Sequence, residues 1–540
     1  MTQTDTDMRF DYIIVGAGSA GCVLANRLTE NPRHRVLLLE AGGADRHPMI
    51  HVPAGFLRIL DHPATSWRYR TSADAETGNR EILFPRGKGL GGSSSINGLL
   101  YVRAFQEDFD AWAAQGNPGW DGRTMMAYFR RSESWQGPPS QTRGGTGPLI
   151  TAPLTERPEI CETIVAAAEA NGLPFREDMN ASSEPGVAYY QQTRNGRRRW
   201  SANRAYLAPA RKRPNLTVLM DVMVDKLELD GQRVTGVRFQ QHGSRRLARA
   251  GAEVILSAGV IGSPAILQRS GIGDPDTLKD LGIETRAAVP GVGKNMQDHY
   301  VIRTTWKLRD TLTLNERARG IRLLGEVAKF ALQGRGILTY SAALVGIFAN
   351  LMRSTPDHPD TQFVIAPGSF KNGRLGELED YPGMTCGFWR MRPESRGHVH
   401  IKNRYADTAP EIQPGFMRED GDRKHAVEAL RFARALCGTE PLARYVDQEM
   451  LPGAELTSNK ELLAYARSNG STVYHGVGTC RMGDGPNDVV STNLSVRGLS
   501  GLRVVDASIM PAITSTNTNA TTIAIAEKAA EMISSAAESA

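Results

Sequence analysis

A chain of 540 residues, 40% apolar and 23% charged, can bury the cores of two ordinary domains, which excludes disorder over most of its length. Its 64 basic and 58 acidic residues leave a net charge of +6, spread along the chain apart from Arg197-Arg198-Arg199, which argues against a nucleic-acid partner. Five cysteines without a CxxC pair suggest neither a zinc site nor a disulfide framework, and no metal is expected. They read as reduced thiols of a cytoplasmic protein. Residues 1–10 lack a secretory leader's apolar stretch, and no run approaches the ~18–20 apolar residues of a membrane span, so any membrane contact is peripheral, at the inner face.

Taken in chain order, residues 12–15 and 36–39 are apolar strands on either side of a helix over about 20–29. Gly16-Ala17-Gly18-Ser19-Ala20-Gly21 joins the first strand to that helix, and Glu40 closes the second strand. This is a dinucleotide fingerprint: Gly16 makes the tight turn, Gly18 admits the pyrophosphate, Gly21 lets the helix pack closely, and Glu40 accepts from the adenosine ribose. The fingerprint alone does not separate FAD from NAD. The loop Pro85-Arg86-Gly87-Lys88-Gly89-Leu90-Gly91-Gly92-Ser93-Ser94-Ser95-Ile96-Asn97 offers many backbone N–H groups and few bulky side chains, which suits phosphate or a ring edge. Further strands are expected at 253–259 and 502–506, and a helix at 521–533. Between about 301 and 470 the pattern changes to strand-like pieces at 362–366 and 397–402 and an amphipathic helix at 426–436, a second domain.

With these segments laid out, the chain resembles the glucose-methanol-choline (GMC) oxidoreductases. The likeness rests on the fingerprint, on residues 87–97 with Tyr101, on residues 259–273, and on the segments 474–483 and 505–511. It implies an α/β fold, with a discontinuous Rossmann-like FAD-binding domain (1–155, 205–300 and 470–540) and a sheet-and-helix substrate-binding domain (156–204 and 301–469). It also implies a cofactor site. Gly16, Gly18 and Gly21, with Ser19 and Ala20, would hold the pyrophosphate, and Glu40 and Ala41 the ribose. Val224 would meet the adenine through its backbone. Arg86, Gly87, Gly91, Gly92, Ser93, Asn97 and Gly98 would border the flavin, and Ala258, Gly259, Asp506 and Ala507 the ribityl and phosphate region. Asn519 and Thr521 would open the last helix beside the flavin. Some relatives tether FAD through a histidine; the matching position here is Ile96, so noncovalent FAD is implied.

Alcohol oxidation needs a base for the hydroxyl proton, a donor for the oxygen and a nearby hydride acceptor. The resemblance places His475 as the base and Asn517, forty-two residues later, as the donor, both over the flavin. His299 is expected to be structural or supporting. Trp67, Trp306, Phe348 and Trp389 are expected either to wall the substrate pocket or to belong to the core. Reduced flavin would pass electrons to a quinone-like acceptor; an oxidase releasing hydrogen peroxide is the alternative, and a hydroxynitrile lyase or a light-driven decarboxylase lies further off.

Overall fold

The computed structural model describes residues 8–352, 358–371 and 376–539. Residues 1–7, most of the segment read as lacking a leader, lie outside these. The first of two large sheets runs in the order Leu216–Leu219, Val36–Leu39, Met8–Val15, Ser244–Leu256, Arg233–Gln241, Val222–Asp230, with Leu502–Val504 added beside Ser244–Leu256. The strands at 8–15, 36–39, 216–219, 244–256 and 502–504 pair in parallel. Parallel strands covered on both faces read as unbroken apolar runs, and Ile13, Ile14, Leu37 and Leu38 are accordingly buried. The register aligns Val15 with Leu39 and Leu256, and Leu256 with Val504. Residues just past these ends, Gly16, Glu40, Ser257 and Asp506, therefore meet at one edge of the sheet.

Two strands differ from expectation. The one expected at 253–259 starts at Ser244 and stops at Leu256, because Gly259, at φ +79°, opens the helix Gly259–Arg269. Its first half pairs antiparallel with Arg233–Gln241, which pairs with Val222–Asp230. The strand expected at 502–506 ends at Val504, since Asp506 turns its carboxylate back to the Ser508 N–H. The terminal helix spans Thr518–Ser539 and packs on the first helix, Ser19–Leu28. Between them Glu527, fully buried, accepts from Arg27 Nε and Nη2 at 2.8 Å and from the Tyr206 hydroxyl at 2.9 Å. Charge-assisted bonds of this kind offset the desolvation of the carboxylate.

The second large sheet is antiparallel, in the order Val446–Leu451, Tyr300–Leu308, Gly383–Arg390, Thr361–Ala366, Val345–Ala349, Gly186–Tyr189, with Ser471–Thr472 beside the start of Tyr300–Leu308. Side chains alternate between its faces. Ile302, Trp306, Phe363, Ile365 and Phe388 join a core with Ala426, Leu430 and Ala433 of the helix Asp420–Cys437. The opposite face looks into the cavity described below. The expected piece at 397–402 is only His398–His400, paired with Glu411–Gln413 outside this sheet. The architecture is α/β, a Rossmann-like unit joined to a sheet-and-helix unit. All five cysteines are free and buried. Among the described residues no helix is long and apolar enough to cross a membrane, and no His, Cys, Asp and Glu cluster could hold a metal ion.

Candidate active site

A cavity of about 920 Å³ runs from the C-terminal edge of the first sheet to the inner face of the second. This is the upper end of the size range of small-molecule and cofactor sites. At its first end Gly16 turns with φ +103°, and a Cβ on Gly21 would lie 1.8 Å from the Gly16 carbonyl oxygen, so the helix starts hard against the turn. A Cβ on Gly18 would meet nothing within 4 Å. The helix Ser19–Leu28 has no side-chain N-cap and no acid in its first turn, leaving N–H groups and the positive end of its dipole for an anion. Glu40 is more committed than its sequence position suggests. One carboxylate oxygen accepts from Ala17 N at 2.8 Å, the other from Gly42 N and Gly89 N at 2.9 Å, which ties the fingerprint turn to the glycine-rich loop. Burial raises its pKa while these backbone donors oppose the shift. The Ala41 backbone N–H also acts on Glu40, which brings its backbone donors to four. An uncapped helix terminus, a buried carboxylate that braces the turn beside it and a long cavity fit a dinucleotide such as FAD.

At the other end a relay of hydrogen bonds fixes the protonation of His475. Tyr190 donates its hydroxyl to the Phe363 carbonyl at 2.9 Å, so its oxygen accepts from Gln362 Nε2, also at 2.9 Å. Gln362 Nε2 also donates to Asn517 Oδ1 at 3.2 Å, which turns the Asn517 amide nitrogen toward His475 Nε2 at 3.0 Å. From the other direction, the Met391 carbonyl can only accept, so His299 Nε2, 2.8 Å away, carries a hydrogen. His299 Nδ1 is then bare and accepts from His475 Nδ1 at 3.0 Å. Both ends give one answer: His475 is protonated at Nδ1 and keeps its lone pair at Nε2. Burial, His299 and Arg86 hold its pKa well below the usual histidine range, and burial takes His299 down to about 4, so both rings are neutral. Asp298 clamps the pair by accepting from the backbone N–H of His299 at 2.9 Å and of His475 at 2.8 Å, and from the Thr472 hydroxyl. Burial pushes Asp298 up to about 6 against the pull of Arg86. Arg86 donates to the Tyr474 carbonyl at 2.6 Å, while its Nε and Nη2 are buried without partners, donors a bound ligand would satisfy.

The GMC oxidoreductase models match residues 10–301 and 393–526. The chain belongs to the GMC oxidoreductase family. Its GMC relatives include the alcohol dehydrogenase (acceptor) of Pseudomonas putida, 37% identical over 97% of this chain and 95% of that protein. Human mitochondrial choline dehydrogenase is also 37% identical, over 97% and 89%. Among solved GMC-like folds, pyridoxine 4-oxidase from Mesorbium loti superposes with a TM-score of 0.88 at 28% identity, covering 97% of this chain and 99% of its own. Formate oxidase of Aspergillus oryzae superposes with a TM-score of 0.92 at 25% identity, covering 99% and 100%.

All the cofactor and catalytic residues expected from sequence line the cavity except Gly21, Gly91 and Thr521. Gly21 packs on Gly16. Gly91 donates its N–H to the Ala17 carbonyl at 2.8 Å, and a Cβ there would lie 2.2 Å from the Ser95 hydroxyl, so it shapes the loop from behind. Thr521 is fully buried one residue short of Thr522, which does line the cavity. Asp506 reaches the cavity, but its carboxylate already accepts from Gly259 N, the Ser263 hydroxyl and Ser508 N, so it anchors the helix Gly259–Arg269. Trp67 and Trp389 line the cavity, whereas Trp306 and Phe348 are core. The Tyr190–Gln362 arm and the Met391 carbonyl carry no sequence motif. The nearest signal was Asp298-His299, whose contact with His475 only the fold shows.

Proposed function

We propose that this GMC oxidoreductase oxidises an alcohol to an aldehyde or ketone, with noncovalent FAD, His475 as base and Asn517 as the donor that holds the alcohol oxygen. The observation that carries the reading is the relay that leaves the lone pair of His475 at Nε2, on the cavity side, beside the Asn517 amide. FAD, when bound, supplies the hydride acceptor. Gly16, Gly18, Ser19 and Glu40 would hold its ADP half, and Arg86, Asn97 and the first turn of Thr518–Ser539 its ring. An alcohol O–H replaces the amide as donor to His475 Nε2, and the freed Asn517 Nδ2 donates to the alcohol oxygen. Proton transfer to Nε2 leaves an imidazolium whose Nδ1–H keeps its acceptor on His299, so no group has to reorient during the step. Ile96 lines the cavity at the position that in some relatives carries the flavin tether and offers no nucleophile, which supports noncovalent binding. We assign 1–155, 205–300 and 470–540 to the cofactor unit and 156–204 and 301–469 to the substrate unit.

We take the electron acceptor to be quinone-like; the name of the Pseudomonas putida relative, alcohol dehydrogenase (acceptor), supports a separate acceptor, and likeness to two oxidases favours oxygen as the second reading. Turnover is expected to require an added dye acceptor under nitrogen. Peroxide release in air at the rate seen with the dye would overturn the dehydrogenase reading.

We also propose that the protein is cytoplasmic and touches the inner membrane face; the helix Gly320–Gln333 supports the surface contact alone. It buries none of its residues: Ile321, Leu324 and Leu332 are 84%, 66% and 86% exposed, while Glu326 and Lys329 turn inward to Arg317 and Glu156. Exposed Arg319, Arg322 and Arg335 flank the apolar stripe. Apolar residues rimmed by arginine suit an anionic lipid surface, and a second copy packed here would set like charges together. The holoenzyme should sediment with vesicles containing phosphatidylserine, and Leu324→Asp should abolish this. Self-association through this helix, or equal binding to neutral vesicles, would contradict it.

A further inference from the structure

The wall of the cavity formed by the second sheet carries a cation on which, among the described residues, no carboxylate acts. Register sets Arg303 opposite Gly387 and Thr305 opposite Thr385, and on the next strand sets Val364 opposite Gly387 and Gln362 opposite Trp389. Directly opposed residues share a face. Arg303 therefore projects from the same face as Gln362, which holds Asn517, and Trp389, whose ring lies 5.8 Å from that of His475. A Cβ on Gly387 would sit 3.6 Å from Arg303 Cγ, so the absent side chain leaves the arginine stem room to lie across the sheet into the cavity.

Among the described residues the Arg303 guanidinium has no hydrogen-bond or ion-pair partner. Its electrostatic neighbours are the phenols of Tyr474 and Tyr465, and burial lowers its pKa. Four carboxylates line the cavity: Glu40, Glu81, Asp407 and Asp506. Glu40 and Asp506 are committed as described, and neither Glu81 nor Asp407 acts on Arg303. The half-buried guanidinium opens on the cavity, and its planar fork matches a carboxylate through two parallel bonds. A cationic alcohol would meet repulsion at this wall. Among the described residues no second cation acts on Arg303, as a phosphate dianion would favour.

We propose that Arg303 binds an anionic group of the substrate, and that the preferred substrates are alcohols carrying a carboxylate away from the carbinol carbon. The substrate class rests on the alcohol-oxidation reading above; the anion site itself does not.

The test compares matched pairs on the holoenzyme: 4-(hydroxymethyl)benzoate with benzyl alcohol, and 6-hydroxyhexanoate with 1-hexanol. The wild type is expected to favour the carboxylated member ~10- to 100-fold in kcat/KM, the range of a charge-assisted bond. Arg303→Leu should bring the ratio near unity, and Arg303→Lys should keep part of it. Equal rates within each wild-type pair, or a preference that survives Arg303→Leu, would overturn the proposal. Benzoate, which has no carbinol to oxidise, separates the two readings: it should perturb the flavin spectrum of the wild type and not of Arg303→Leu even if no alcohol is oxidised. A larger Arg303-dependent response to inorganic phosphate than to benzoate would overturn the carboxylate assignment.

Discussion

Replacing His475 by alanine leaves the protein yellow and slows flavin reduction by alcohol ~10²- to 10⁴-fold, the usual contribution of a positioned general base. Flavin stays because the residues proposed to hold its phosphates and ribose lie on other segments, and because Asp298 holds residue 475 through its backbone N–H. The measurement is anaerobic stopped-flow bleaching of the holoenzyme, with flavin content counted separately. His299→Leu removes the acceptor of the His475 Nδ1–H, so the second tautomer becomes accessible. A loss of about 10- to 100-fold in kcat with KM little changed is expected, as for other groups that orient an active imidazole. Nitrogen-15 NMR should show a bare Nε2 on His475 in the wild type and mixed tautomers in the variant. The pH profile has a definite sign. The pKa of His475 is depressed, so the base stays neutral as pH falls through the ordinary histidine value of 6.5. kcat/KM should therefore be level through neutrality and fall only at about pH 6 and below, where Asp298 takes a proton and the base is next to follow. An acid limb centred at or above 6.5 would mean that His475 is not held neutral as described.

The second large effect is loss of the cofactor without loss of the fold. Gly18→Val adds a side chain where a Cβ meets no protein atom within 4 Å, at a residue with φ −77°, which any amino acid adopts. The variant is expected to purify colourless and to unfold cooperatively, with the stability of wild-type protein stripped of FAD. Gly21→Val drives its Cβ to 1.8 Å from the Gly16 carbonyl and should lose soluble protein instead. Comparing the two by flavin content and thermal unfolding separates space kept for a ligand from space needed for packing. Wild-type protein should release its flavin to the supernatant on acid precipitation, as expected of a cofactor with no covalent tether. A yellow Gly18→Val protein would place the pyrophosphate elsewhere.

What could be read from the sequence follows from how local each signal is. The fingerprint is contiguous, and its strands are buried on both faces, so Gly16, Gly18 and Glu40 stand out in a short window. The partners of Glu40 do not: Gly89 lies forty-nine residues away, and only the fold turns a ribose acceptor into the tie between two loops. Strands 222–230 and 233–241 carry no unbroken apolar run, because exposed Lys226, Asp230, Arg233, Arg238 and Gln240 interrupt it, and so they do not stand out in the sequence. The walls of the catalytic end depend on register. Trp306 and Arg303 are three residues apart and so lie on opposite faces; no composition argument tells which of them sees the cavity. The relay draws Tyr190, Gln362 and the Met391 carbonyl from different parts of the second sheet or its margins, and the tautomer of His475 is a property of that assembly.

A bare imidazole nitrogen and a carboxamide, set beside bound FAD, are proposed to oxidise an alcohol. The most direct measurement is to mix the yellow holoenzyme with alcohols in the absence of oxygen and follow its colour. Bleaching of the wild type, with bleaching slowed by the factor given above in His475→Ala, is the predicted result. A wild-type protein that binds FAD and keeps its full yellow absorbance with every primary and secondary alcohol offered, carboxylated ones included, would contradict the account.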